Sequence, residues 1–360
     1  MIIKLISRKI TIVSLLAMII VIYMHSFNFT MINTSEGLEV LNNGMWNFNI
    51  FFQNFISDGI GKIAVPLFFI ISGFLFFKNF DMDTYRNKVY KRMFTLFVPY
   101  VFWSSFVVMI FFILQSIPGL TQFFNRDLIK DLPFQNILYI IFIDPKNYPL
   151  WFLRDLIALV VISPILFYFV KNFRVIYFTI LLLLWFSNNF NFNFPYFTSE
   201  PLLFFSFGAY LVLVNQDLLI KKASNRQLVL IAIMYFVILI CKTILSSFFY
   251  TNNDFVISLL SHISVLVGIP FLWLLTDYYL VENKILYFLS TFTFLFYVFQ
   301  EPVITILKKL GFVILGKNAY SSLSLYILIP VFTILFLILL GAIMQKYIPK
   351  ISKIITGNRL

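Results

Sequence analysis

Apolar runs of about 17–25 residues recur along this chain, separated by short islands of charge, and that length is what an α-helix needs to cross a bilayer. Hydrophobic residues make up 61% of the chain and charged residues only 12%. Ordinary soluble domains have roughly 45–50% apolar and about 25% charged residues. With a mean hydropathy of +0.93, no soluble fold could hide this much apolar surface. The fold class expected is all-α, a polytopic integral membrane bundle of about ten transmembrane helices.

The first run, Ile10 to about Phe29, follows Lys4, Arg8 and Lys9 and resembles a signal peptide. It lacks a small-residue cleavage site and is long enough to span, so it reads as the first helix. The remaining spans are placed near 58–77, 93–114, 150–170, 174–190, 200–214, 227–249, 255–279, 285–307 and 320–346. The apolar piece Phe134–Ile143 is too short to cross and is expected to lie at the interface or to re-enter. No stretch is long enough for an appended soluble domain, so residues 1–360 read as one membrane domain.

The net charge of +12 does not point to nucleic acid, because Lys and Arg cluster beside apolar segments, where they set topology. With the N-terminus inside, eighteen of the 27 basic residues fall on that side, so both termini are expected in the cytoplasm. Cys241 is the lone cysteine and lies in an apolar run, which excludes an intrachain disulfide and a thiolate metal site. No metal is expected.

Ionisable groups at bilayer depth are costly and should face the bundle interior or a wet cavity. His25 lies roughly 22 Å along the first helix from Ile10, and Glu301 roughly 24 Å along a late helix from Ile285. Arg154 and Asp155 lie near the outer start of an inward-running helix. All four share one depth in the outer half of a core about 30 Å thick. A His among carboxylates suits general-base work, and an Arg suits holding a carbonyl or a developing oxyanion. The plainer readings are that Arg154 and Asp155 meet interfacial water, that His25 makes an inter-helix hydrogen bond, and that Glu301, before Pro302, steadies a kink. His262 and Lys242 read as structural.

A basic cluster, Arg86, Lys88, Lys91 and Arg92, precedes the third span and can receive phosphates, although positive-inside topology alone would also produce it. Several motifs then fall in order. Val65-Pro66-Leu67-Phe68-Phe69-Ile70-Ile71-Ser72-Gly73-Phe74-Leu75 resembles the second-helix signature of the membrane proteins of acyltransferase family three. Ile22-Tyr23-Met24-His25-Ser26 is similar to that family's first-helix histidine segment, and Lys91-Arg92 with Val98-Pro99-Tyr100 to its third-helix entry. Pro149-Leu150-Trp151-Phe152-Leu153-Arg154-Asp155-Leu156 resembles the fourth-helix signature, and Phe296-Tyr297-Val298-Phe299-Gln300-Glu301-Pro302 the late helix. Two positions depart: Ser14 stands where the family has an Arg eleven residues before the His, and Gln300 where it often has His.

The resemblance implies an enzyme of a bacterial inner membrane that moves an acyl group, most often acetyl, from cytoplasmic acyl-CoA to a hydroxyl of a cell-surface or lipid-linked glycan. Lys88, Lys91 and Arg92 would then bind the CoA phosphates, His25 would handle the hydroxyl proton, and Arg154, Asp155 and Glu301 would complete the outer site. Ser72 and Gly73 would let the second helix pack beside the acyl route. Arg8 or Lys9 would stand in for the missing Arg. The alternatives are a transporter or flippase for a glycan intermediate, or a family member with altered chemistry.

Overall fold

The structure is a computed structural model, and it describes residues 2–29, 44–119, 128–187, 198–248, 254–279 and 283–360. Helices account for the regular structure among the described residues, with no strand. The physical reason is that hydrocarbon offers no partner for a backbone N–H or C=O, so each spanning segment must satisfy its own.

Helix α1 is Ile2–Ser26. Helix α2 runs over Gly44–Phe77, 34 residues, with a π-helical segment at Asn54–Gly59 and a 3₁₀ turn at Ile60–Ile63. Helix α3, Tyr85–Ser116, carries a second π segment at Met93–Phe97. The short α4, Phe134–Phe142, lies against α3 through Ile140 and does not span. Next come α5, Trp151–Val161, and α6, Ser163–Asn172, which form one segment bent by 67°. Pro164 follows Ser163 at the first turn of α6, where a missing N–H costs nothing to the new helix but ends the old one. Helices α7, Arg174–Ser187, and α8, Ser199–Leu213, are short. The set closes with α9, Asn225–Phe248; α10, Asp254–Tyr279; α11, Lys284–Ser290; α12, Thr293–Leu315; α13, Ala319–Tyr347; and α14, Pro349–Ile355.

The protein is a multi-pass membrane bundle. Among the described residues, six helices can cross alone by length and apolar character, or seven when α5 and α6 count as one, so the expected number of about ten is not established. Three expected boundaries move. The span expected from 58 begins at Gly44, which places Asp58 well inside a helix, where it is paired with Lys242 of α9 at 2.7 Å. The span expected at 150–170 is broken at residue 162. The span expected at 285–307 breaks after Ser290 and then continues to Leu315. Residues 188–190 of the expected fifth span lie outside the described residues.

The tightest seam joins α2 to α8. A Cβ on Gly73 would lie 2.0 Å from the carbonyl oxygen of Phe205, and a Cβ on Gly208 would lie 2.1 Å from that of Ile70. Each helix therefore presents a glycine to the other's backbone, the small-residue packing that membrane helices use where water supplies no driving force. His262 and Lys242 both have partners within the bundle. The His262 ring is packed edge-on to Trp185 with Nδ1 2.8 Å from the Ser258 carbonyl oxygen, and Lys242 is buried on Asp58.

Candidate active site

The site grows from the end of α1. This helix stops at Ser26, one residue past His25, and its last carbonyls need donors. Lys308 of α12 supplies them: its Nζ donates to the backbone oxygens of His25, at 2.8 Å, and Phe27, at 3.2 Å. A cation at a helix C-terminus also opposes the negative end of the helix dipole. Glu301, two turns earlier on the same helix, brings Oε2 to 3.4 Å from His25 Nδ1 and holds its other oxygen on the Thr305 hydroxyl at 2.8 Å. The His25 side chain keeps 20% of its surface accessible and Glu301 keeps 26%, so the pair is open on one side.

Pro302 explains how this stretch of α12 is seated. Proline has no N–H to give to the carbonyl four residues back, that of Val298. Asn147 takes that role, donating its side-chain N–H to the Val298 oxygen at 2.7 Å, while the Tyr297 hydroxyl donates to the Pro149 oxygen at 2.7 Å. The entry to α5 is thereby fastened beside Glu301, and Tyr148 sets its ring edge-on to His25, centroids 6.2 Å apart.

A cavity of about 430 Å³ opens beneath His25. It follows α1 from Ile10 through Thr11 and Ser14 to His25, a distance of roughly 22 Å by helical rise, and Ser72 and Phe152 line its flank. Its walls also carry two guanidinium groups away from His25: Arg359 over Phe294, seven residues and roughly 10 Å back along α12 from Glu301, and Arg92 beside Phe76 at the end of α2.

The residues singled out from sequence divide as follows. His25 and Glu301 meet across α1 and α12. Arg154 and Asp155 instead pair with one another, Nη2 and Nε each 2.9 Å from Oδ1, and Arg154 also donates to the Ile143 oxygen at 2.6 Å; neither lines the cavity. Ser72 lines the cavity, whereas its neighbour Gly73 faces α8. Arg92 lines the cavity and lies 5.9 Å over the Phe76 ring. Lys88 caps the end of α2 through the oxygens of Phe76 and Lys78, and Lys91 is exposed away from the cavity wall. Lys9, a candidate to stand in for the missing Arg near Ser14, is buried on Asp277 at 2.7 Å and under Trp273. Lys308 and Arg359 were not singled out from sequence. Lys308 could have been found from its spacing, seven residues past Glu301 and so on the same helical face. No group of three or more His, Cys, Asp or Glu side chains among the described residues could hold a metal.

A His–carboxylate pair and guanidinium groups on one intramembrane cavity can move a proton and hold an anion within the same bundle. Residues 10–345 match the family described as an acyltransferase domain, acyltransferase family three, and the chain belongs to that family. It is also similar to the succinoglycan biosynthesis protein ExoH of Rhizobium meliloti (strain 1021), 32% identical over 124 residues. That similarity covers 33% of this chain and spans only about a third of the relative's length, 33%. No solved structure matches the chain.

Proposed function

We propose that this protein transfers an acyl group, acetyl in the simplest case, from acyl-CoA to a hydroxyl of a cell-surface or lipid-linked glycan. It would do so in a bacterial inner membrane with both termini in the cytoplasm. The observation that carries the reading is the single cavity touching both Arg92 and His25, the latter paired with Glu301. Phosphates held at the basic end leave the thioester free to lie along α1 toward the imidazole. Family membership supports acyl transfer, and the relative named for succinoglycan biosynthesis supports a glycan acceptor.

Chemically, the carboxylate of Glu301 facing Nδ1 favours the tautomer with its proton on that nitrogen, which leaves Nε2 to accept. The acceptor oxygen bonds to the acyl carbon as Nε2 takes the hydroxyl proton. The carbon–sulfur bond then breaks, and the proton passes to the departing thiolate. Arg154 and Asp155 serve this reading by bracing the α5 entry, whose Tyr148 and Pro149 adjoin the pair. Lys88 and Lys91 add positive charge near Arg92.

The test is a His25→Gln variant in a complemented deletion strain, with surface glycan read by mass spectrometry. Gln keeps much of the volume but cannot accept and release a proton near neutral pH. Acylated glycan should fall by roughly 100-fold or more at normal protein abundance. Wild-type acylation would refute the base assignment, and loss of the glycan itself would point to a flippase instead.

A further inference from the structure

The basic end of the cavity owes half of its charge to a part of the chain outside the family match, which ends at residue 345. After α13, helix α14 lies against α3, where the Trp103 indole N–H donates to the Ile355 oxygen at 2.9 Å. Its termination is dictated by sequence. In Lys353-Ile354-Ile355-Thr356-Gly357-Asn358, the Asn358 N–H donates to the Lys353 oxygen at 2.7 Å and the Gly357 N–H to the Ile354 oxygen at 3.2 Å. This is the paired 6→1 and 5→2 pattern of a Schellman end, with Gly357 and Asn358 both left-handed at φ 62° and 61°. Gly357 is needed for space as well as for its φ, because a Cβ there would lie 2.6 Å from the Thr95 oxygen. The chain reverses at this point, and the next residue, Arg359, enters the cavity wall with its guanidinium 4.3 Å from the centre of the Phe294 ring.

Arg92 and Arg359 are the only permanently charged side chains among the described residues lining this cavity. Among the described residues no carboxylate lies within ion-pair distance of either, and both instead lie against aromatic rings, Phe76 and Phe294. The α1 wall opposite is uncharged, with Thr11 and Ser14. Removal from water, followed by the charge of Arg92, pushes Arg359 down to about 10, still protonated at neutral pH. Two uncompensated guanidiniums sharing one recess repel each other, and an anion with several oxygens relieves that repulsion while using both planar forks.

We propose that Arg92 and Arg359 together form a phosphate-binding pair at the basic end of the cavity, with the C-terminal tail supplying half of the site. The ligand chemistry is a phosphoryl oxyanion. Its identification with the phosphates of the acyl donor rests on the function proposed above.

The experiment uses the full chain in nanodiscs of zwitterionic lipid, with calorimetric titration of CoA and, separately, inorganic pyrophosphate. Arg359→Gln should weaken both roughly 10- to 100-fold, the loss expected for hydrogen bonds to a charged group. Arg359→Lys, which keeps the charge and loses the fork, should fall between, and the thermal midpoint should not move. Gly357→Ala, which unseats the tail, should reproduce the loss with Arg359 still present. Unchanged CoA and pyrophosphate affinity in Arg359→Gln would overturn the pair and leave the donor reading standing. Arg359-dependent binding of pyrophosphate without binding of CoA would keep the pair and sink the donor reading. Binding of neither by the unsubstituted protein would overturn both. Repeating the titration with anionic phospholipid separates the two phosphate sources: competition seen with Arg359 and lost with Arg359→Gln would assign the pair to a lipid headgroup and overturn the assignment to the donor.

Discussion

Replacing Glu301 with Gln removes one negative charge from the His25 pair while preserving shape and a hydrogen-bonding oxygen. At 3.4 Å, a carboxylate and an imidazolium attract by about 5 kcal/mol at an effective dielectric constant of about 20. The imidazolium exists only while the proton is in transit, so this attraction favours the transition state over the resting enzyme. Gln keeps a dipole aimed at Nδ1, and both side chains retain accessible surface, so we take about half of the full value as lost. That is about 2.4 kcal/mol, or roughly 60-fold in kcat. The assay is acyl transfer by the purified protein in nanodiscs, with kcat and donor KM determined separately. A lowered kcat with donor KM unchanged is expected, since the donor phosphates are proposed to bind at the guanidinium groups, away from His25. A kcat equal to that of the unsubstituted protein would refute the reasoning, because the carboxylate would then contribute no charge to the proton transfer.

Gly73→Ala should destabilise the bundle by about 1–3 kcal/mol or more, because the new methyl lies 2.0 Å from the Phe205 oxygen and the α2–α8 seam must open. A drop in thermal midpoint in detergent checks it, and an unchanged midpoint would mean that the seam is looser than the structure has it. Reporter fusions after Asn28, Phe80 and Leu360 should read outside, inside and inside, as the distribution of basic residues requires. An outside reading at Leu360 would reverse the assignment of the basic end of the cavity to the cytoplasm.

Much of the architecture was legible because hydrophobic length is a strong signal, and the errors fell where charge masks it. Lys308 and Lys309 read as the end of a span, yet α12 continues to Leu315, and the buried Lys308 is spent on the end of α1. Asp58 likewise read as an edge, although Lys242, on a helix distant in sequence, neutralises it within α2. In both cases a charge is tolerated because of a partner that no local window contains. His25 and Glu301 were legible from their shared depth, since a helix rises by a fixed amount per residue. The separate pairing of Arg154 with Asp155 was not, because depth says nothing about rotation around the bundle. Arg359 was invisible for a different reason: a terminal arginine becomes informative only once the turn at Gly357-Asn358 shows where it points.

The hold of Lys308 on the end of α1 bears on how this protein can be recombined. Glu301 and Lys308 lie seven residues apart on α12, about 10 Å along its axis, and both engage the α1 terminus, one through the imidazole of His25 and the other through its backbone oxygen. The two helices are therefore indexed to each other at two points, and sliding either by a single turn breaks both contacts together. A chimera that borrows its first helix from a relative must take the matching twelfth helix with it, although nearly three hundred residues separate them in the chain.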